Sequence, residues 1–243
     1  MFQIKDMTFS YEDTEGKDVI HHMDLSVETG SFVSIVGHSG CGKSTLLRLI
    51  AGLERPNAGS IAWEGQQKQK KTSVVFQDYS LFPWMTAEKN IVFSVRKMDH
   101  LRKKEATEKA KIFLEKVGME ACGDKYPCQL SGGMKQRVAI ARAFACDTEL
   151  LLMDEPFGAL DVSTRKQMQE LLRNVWQENK KKRTVLFVTH DIEEAMLISD
   201  RVIFMREGKI QEEYDICKVR DSKDEEKFAK VKRRIENAFY ETC

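Results

Sequence analysis

Short apolar-rich runs at residues 2–9 and 19–27, separated by turn-forming residues at 13–16 and 28–30, predict strands in the first third of the chain. A further hairpin pattern covers residues 56–65. From about residue 86 to residue 145 the pattern becomes helical, with Ile112, Leu114 and Val117 read as one face among Lys and Glu side chains that stay in water. Three short apolar runs follow, at 150–153, 184–188 and 201–205, each separated from the next by a stretch of helical length. Strands alternating with helices predict a parallel sheet and an α/β fold. Near the C-terminus Phe228, Val231, Ile235 and Phe239 recur at helical spacing in a highly charged segment, which predicts a terminal helix packed on the domain.

Between an apolar run at 32–36 and the apolar positions Leu46, Leu47, Leu49 and Ile50 lies Gly37-His38-Ser39-Gly40-Cys41-Gly42-Lys43-Ser44, followed by Thr45. Gly, four residues, then Gly-Lys-Ser is the spacing of a phosphate-binding loop. Its glycines turn backbone N–H groups towards phosphate oxygens, Lys43 reaches the β and γ phosphates, and the Ser44 hydroxyl faces Mg²⁺. The run at 150–153 ends in Asp154-Glu155, at the edge where α/β sheets bind ligands. Beside a phosphate loop, Asp154 is expected to hold the Mg²⁺ shell and Glu155 to polarise the water that attacks the γ phosphate. A third motif, Leu130-Ser131-Gly132-Gly133-Met134-Lys135-Gln136-Arg137, places a Ser-Gly-Gly turn before a helix expected over 138–145, which makes it a second anion site. A plain helix cap is the alternative for Ser131.

At 243 residues, 42% hydrophobic and 32% charged, the chain has the size and composition of one globular α/β domain. A formal charge of +1 gives no global field for nucleic acid or anionic lipid. No apolar run approaches the roughly 20 residues a membrane span needs, and the N-terminus lacks a signal-peptide pattern, so a cytosolic protein is expected. The six cysteines show no metal-ligand spacing and are read as reduced thiols.

With Leu130 to Arg137 lying between the phosphate loop and Asp154-Glu155, the sequence resembles the ATP-binding-cassette family, whose signature is Leu-Ser-Gly-Gly-x-x-x-Arg. The resemblance covers nearly the whole chain. It implies a P-loop NTPase (RecA-like) core, an N-terminal antiparallel β subdomain and an α-helical signature subdomain. All belong to one ATPase domain over 1–243, with the helical part at about 86–145 and a C-terminal helical tail at about 218–243. By the same resemblance Tyr11 stacks on adenine, with Phe9 a nearby alternative, and Gln77 touches Mg²⁺ and the attacking water. Gly158-Ala159-Leu160-Asp161 resembles the family's D-loop, which makes Asp161 a further expected nucleotide contact. His190 contacts the γ phosphate and orients the water near Glu155.

The resemblance further implies that MgATP, held by residues 37–45 of one copy, is capped by Ser131, Gly132 and Gly133 of a second, giving a head-to-tail homodimer. Phe76-Gln77-Asp78-Tyr79-Ser80-Leu81-Phe82-Pro83-Trp84 is similar to the loop of ATPases in the nitrate, sulfonate and taurine import group, with Phe82 in place of their leucine. Expected partners are therefore transmembrane permease subunits and an extracytoplasmic solute-binding protein, with the chain peripheral at the cytoplasmic face of the membrane. Relatives that act on DNA or the ribosome generally carry two cassettes or a long coiled-coil insertion. This chain has one cassette and no sustained heptads, and its basic run at 180–183 most simply complements a helix C-terminus. An exporter ATPase is the other alternative, and a non-catalytic nucleotide regulator is opposed by Glu155 and His190.

Overall fold

The computed structural model describes residues 1–12, 17–65, 71–78, 80–158, 160–178, 183–221 and 225–240. The turn read at 13–16, Tyr79, Ala159, the lysines at 180–182 and the last three tail residues lie outside the described residues. The chain divides into two compact units: Met1–Lys70 with Leu152–Asp154 and Lys180–Cys243, and Lys71–Leu151 with Glu155–Asn179.

In the first unit, strands β1 (Phe2–Phe9), β2 (Ile20–Val27) and β4 (Ala58–Trp63) form an antiparallel sheet with β1 in the middle. Strict alternation would send Ile4 and Met7 to opposite faces. A bulge between them, with Asp6 at φ 47°, restores one face, so Phe2, Ile4, Met7 and Phe9 are all buried. The hairpin expected at 56–65 is corrected by the structure to a single strand whose mate is the distant β1.

The second sheet of this unit runs β6 (Leu150–Asp154), β7 (Thr184–Thr189), β3 (Phe32–Val36), β8 (Arg201–Arg206), β9 (Lys209–Asp215), with β6 shared between the units. Strand β3 pairs in parallel with β7 and β8, and the core of β3 and β7 is dry because every residue of both strands is buried. Sequence reading did not find β9. Its residues are mostly exposed and polar, yet Glu207 and Gly208 both have positive φ, 47° and 71°, the geometry of a two-residue hairpin turn. An acidic residue followed by Gly after an apolar run was the available signal. Helices α1 (Lys43–Ile50), α6 (Ile192–Ile198), α7 (Cys217–Asp221) and α8 (Glu225–Tyr240) complete the unit. Val36, Ile192, Met196, Phe204, Ile235 and Phe239 share one apolar cluster, with Phe228 and Val231 packed half-buried against it.

The second unit holds β5 (Thr72–Val75), neighbour of β6, and the helices α2 (Ala87–Asp99), α3 (Lys103–Lys116), α4 (Gly132–Ala145) and α5 (Val162–Glu178). Ala87, Ile91, Ala106, Ala110, Leu114 and Val138 meet in its core. Ile112 does not join them: it is 51% exposed, because two residues along a helix turn the side chain by about 200°. The buried face of α3 is carried by Ala106, Ala110 and Leu114, four apart. Two alanines on that face let the neighbouring helices approach, and small side chains are what the sequence reading passed over.

Candidate nucleotide site

The phosphate loop leaves β3 at Gly37 and enters α1 at Lys43. A Cβ at Gly37 would lie 2.2 Å from the Met205 carbonyl oxygen, so only glycine fits between the loop and β8. Gly42 sits at φ 100°, and a Cβ there would lie 2.8 Å from the Val19 carbonyl. Both glycines are therefore fixed by backbone packing as well as by the ligand chemistry the spacing suggests. Lys43 is buried; its Nζ donates to the Gly37 carbonyl at 2.8 Å and the His38 carbonyl at 2.9 Å. The ammonium thus stands inside the turn of the loop, where a β or γ phosphate would be met. Cys41 is buried there too; desolvation pushes its thiol up from its ordinary value and Lys43 pulls it down less strongly. Burial keeps it a thiol at neutral pH, inert as a nucleophile.

Ser44 Oγ donates to Asp154 Oδ1 at 2.9 Å, which brings together two of the three expected Mg²⁺ ligands. An exposed hydroxyl and carboxylate are hard oxygen donors, the set Mg²⁺ takes when phosphate and water supply the rest. Gly42, at the N-cap of α1, has no side chain to cap the first N–H groups, which suits an anion. The residues present therefore fit MgATP. Tyr11 Oη shares a hydrogen bond with Thr45 Oγ1 at 3.1 Å, and the Tyr11 ring meets Phe9 edge-on at 4.8 Å, so both aromatic candidates stand beside the start of α1. His38 turns its side chain to α8: the ring lies 4.0 Å from that of Phe239, and Nε2 donates to the Phe239 carbonyl at 2.7 Å. His190 is exposed at the end of β7, just before Asp191 caps α6 by accepting from the Glu194 N–H.

The second unit carries the other candidates. Glu155 follows Asp154 with φ 44°, a left-handed backbone that costs a non-glycine residue of order 1–3 kcal/mol. Gly158 N–H closes the turn onto its carbonyl at 3.2 Å. Gln77 is exposed after β5.

The signature helix differs from expectation: α4 begins at Gly132, not near 138, so both glycines lie in its first turn and Ser131 is the N-cap. Ser131 Oγ accepts from the Met134 N–H at 3.3 Å. The cap alternative is thus realised at Ser131. Ser131, Gly133, Leu160 and Asp161 line one open cleft of about 540 Å³. Asp161 Oδ1 accepts from the N–H groups of Ser163 and Thr164 and from the Ser163 hydroxyl, and these bonds hold its carboxyl well below the usual range. Its visible work is capping α5.

Sequence reasoning missed one residue of α2 that braces the aromatic loop. Asn90, fully buried, accepts from the Phe82 N–H at 2.8 Å and donates to the carbonyls of Phe82, Met85 and Thr86. A lone Asn on a helical face gives no signal in the sequence, yet this one shapes the turn that leaves Trp84 69% exposed.

Residues 20–158 match the family described as ABC transporter. The chain belongs to the ABC transporter family. Its chemistry is the binding and hydrolysis of ATP on an α/β P-loop cassette. It is 48% identical over 193 residues to the nitrate import ATP-binding protein NrtD of Synechococcus elongatus, covering 78% of this chain and 70% of that protein. It is 42% identical over 228 residues to the aliphatic sulfonates import ATP-binding protein SsuB of Bacillus cereus, covering 91% and 88%. The bicarbonate transport ATP-binding protein CmpC of Synechococcus elongatus is 50% identical over 190 residues, and the match spans 76% of this chain but only 28% of that longer protein. A solved ATP-binding cassette, MJ0796, as a dimer in a post-hydrolysis state bound to ADP and Pi, superposes with a TM-score of 0.80 at 32% identity, covering 89% and 99%. Similarity to nitrate and sulfonate import proteins agrees with the reading of the Phe76 to Trp84 loop.

Proposed function

We propose that this cassette is the ATP-hydrolysing subunit of an importer for a small solute of the nitrate, sulfonate or bicarbonate kind. It works as a homodimer bound to membrane permease subunits from the cytoplasmic face. The observation that carries the catalytic part is the Lys43, Ser44 and Asp154 arrangement around the phosphate loop. Lys43 and the loop N–H groups would bind the phosphates, and Ser44 and Asp154 would hold Mg²⁺, to which the family resemblance adds Gln77; the ion would supply charge neutralisation at the phosphate oxygens. Glu155 takes the proton of the attacking water, His190 orients it and contacts the γ phosphate, and Tyr11 stacks on adenine. Ser131, Gly132, Gly133 and Asp161 come from the second copy. No helix among the described residues is long and apolar enough to cross a membrane, which suits a peripheral subunit.

A site completed by a second copy makes turnover depend on association. Phosphate release per chain is expected to rise with protein concentration at saturating MgATP, and a constant value over a hundredfold range of about micromolar concentrations would exclude the two-copy site.

The permease contact is assigned to the aromatic loop and the adjoining groove. Phe82 packs against Trp84 and, edge-on, against Phe93, and Met85, Lys89, Phe93, Arg96 and Lys97 line the groove. An exposed aromatic beside an apolar floor with basic sides fits an amphipathic helix with acidic flanks. Trp84→Ala removes exposed surface and should leave the fold within about 0.5 kcal/mol of wild type. Transport reconstituted with the permease should then fall about tenfold or more while hydrolysis by the free subunit persists. Equal loss of both activities would place Trp84 in the nucleotide site instead.

A further inference from the structure

The side chain of His38 points away from the direction its loop suggests. It makes two contacts with one residue of the C-terminal helix, a ring contact at 4.0 Å and a hydrogen bond to the backbone carbonyl of Phe239 at 2.7 Å. Phe239 is itself fixed: it is buried, lies in the cluster with Val36 and Phe204, and its ring centroid is 6.1 Å from that of Phe204. Val36 is the last residue before Gly37, so the same cluster holds the loop at its root and at its second residue. On the loop side, the carbonyls of Gly37 and His38 are the two oxygens that Lys43 Nζ touches, and the His38 carbonyl also accepts from the Cys41 N–H at 3.3 Å. Any shift of His38 therefore moves an oxygen that positions the ammonium. Helix α8 also reaches α6, where Lys232 pairs with Glu193 at 3.1 Å, three residues after His190.

We propose that Phe239 is a positioning residue of the triphosphate site: through His38, the C-terminal helix sets the backbone of the phosphate loop and the placement of Lys43. The inference rests on the reading that residues 37–45 bind ATP. An aromatic on the far side of the chain in sequence thereby becomes part of the nucleotide grip, although it touches no phosphate. Its ring acts on His38, and His38 acts on the loop.

The test is a double-mutant cycle of His38→Ala and Phe239→Leu in the full chain, read as MgATP affinity by calorimetry and as the thermal midpoint without nucleotide. Leucine keeps most of the buried apolar volume of Phe239 and removes the ring face. Each single change is expected to weaken MgATP binding by up to about tenfold, the ceiling set by one aromatic pair. The double variant should bind no more weakly than the worse single one, because both remove the same coupling. Additive losses, or affinities equal to wild type while the midpoint falls, would reduce Phe239 to a core residue and overturn the proposal. Should Phe239→Leu fail to fold, an unchanged affinity of the half-buried His38→Ala variant overturns it alone. Lys43→Ala separates the two levels: wild-type MgATP affinity in that variant would refute the phosphate-loop reading itself, whatever the cycle gives.

Discussion

Glu155→Gln is expected to lower ATP turnover by about 10²- to 10⁴-fold while leaving MgATP binding intact, the loss typical of removing a general base. The amide has the size of the carboxylate but takes no proton from water. The backbone argues for a clean substitution, since the φ of 44° at this position is set by the turn that Gly158 closes onto the Glu155 carbonyl. Gln meets the same backbone strain as Glu, so the thermal midpoint should change little. With hydrolysis blocked and binding kept, the two-copy state accumulates, because the only fast route out of it is loss of the γ phosphate. Size-exclusion chromatography with MgATP should show a dimer for the variant and mostly monomer for the wild type after turnover. A variant that binds nucleotide yet elutes as a monomer contradicts the shared site.

What the sequence made legible follows from how local each signal is. The phosphate loop was readable because Gly37, Gly42, Lys43 and Ser44 act within eight residues, and the structure adds why two of those glycines admit nothing else: the Met205 and Val19 carbonyls lie where a Cβ would stand. Dry strands such as β7 announced themselves by unbroken apolar runs. The edge strand β9 did not, since its polar residues face water and only its turn carried a signal. The helical face misassigned to Ile112 shows the limit of reading large apolar residues alone, when Ala106 and Ala110 carry the contact. Asn90 and the His38–Phe239 pair were illegible for another reason. Their meaning lies in partners that a single residue type does not reveal, 201 positions away for His38.

Ser131→Asp should separate the two roles that converge at the start of α4. Aspartate is as good an N-cap as serine, and its charge is favourable at a helix N-terminus, so the fold should be as stable as wild type or slightly more so. Binding of MgATP to the phosphate loop of a single copy should also survive, because in this reading Ser131 meets only the nucleotide of the partner copy. The shared site is a different matter. A carboxylate about 4 Å from a γ-phosphate oxygen at an effective dielectric of about 20 opposes it by roughly 4 kcal/mol, close to a thousandfold in the dimerisation constant. Combined with Glu155→Gln, the change should abolish the ATP-dependent dimer on size-exclusion while the thermal midpoint and single-copy affinity hold. Ser131→Ala is expected to do the reverse in part, losing the bond from the Met134 N–H and about 1 kcal/mol of helix stability while adding no charge to the nucleotide face. If the aspartate variant still dimerises with ATP, the Ser-Gly-Gly turn is a cap and nothing more, and the cleft it shares with Leu160 and Asp161 receives no phosphate.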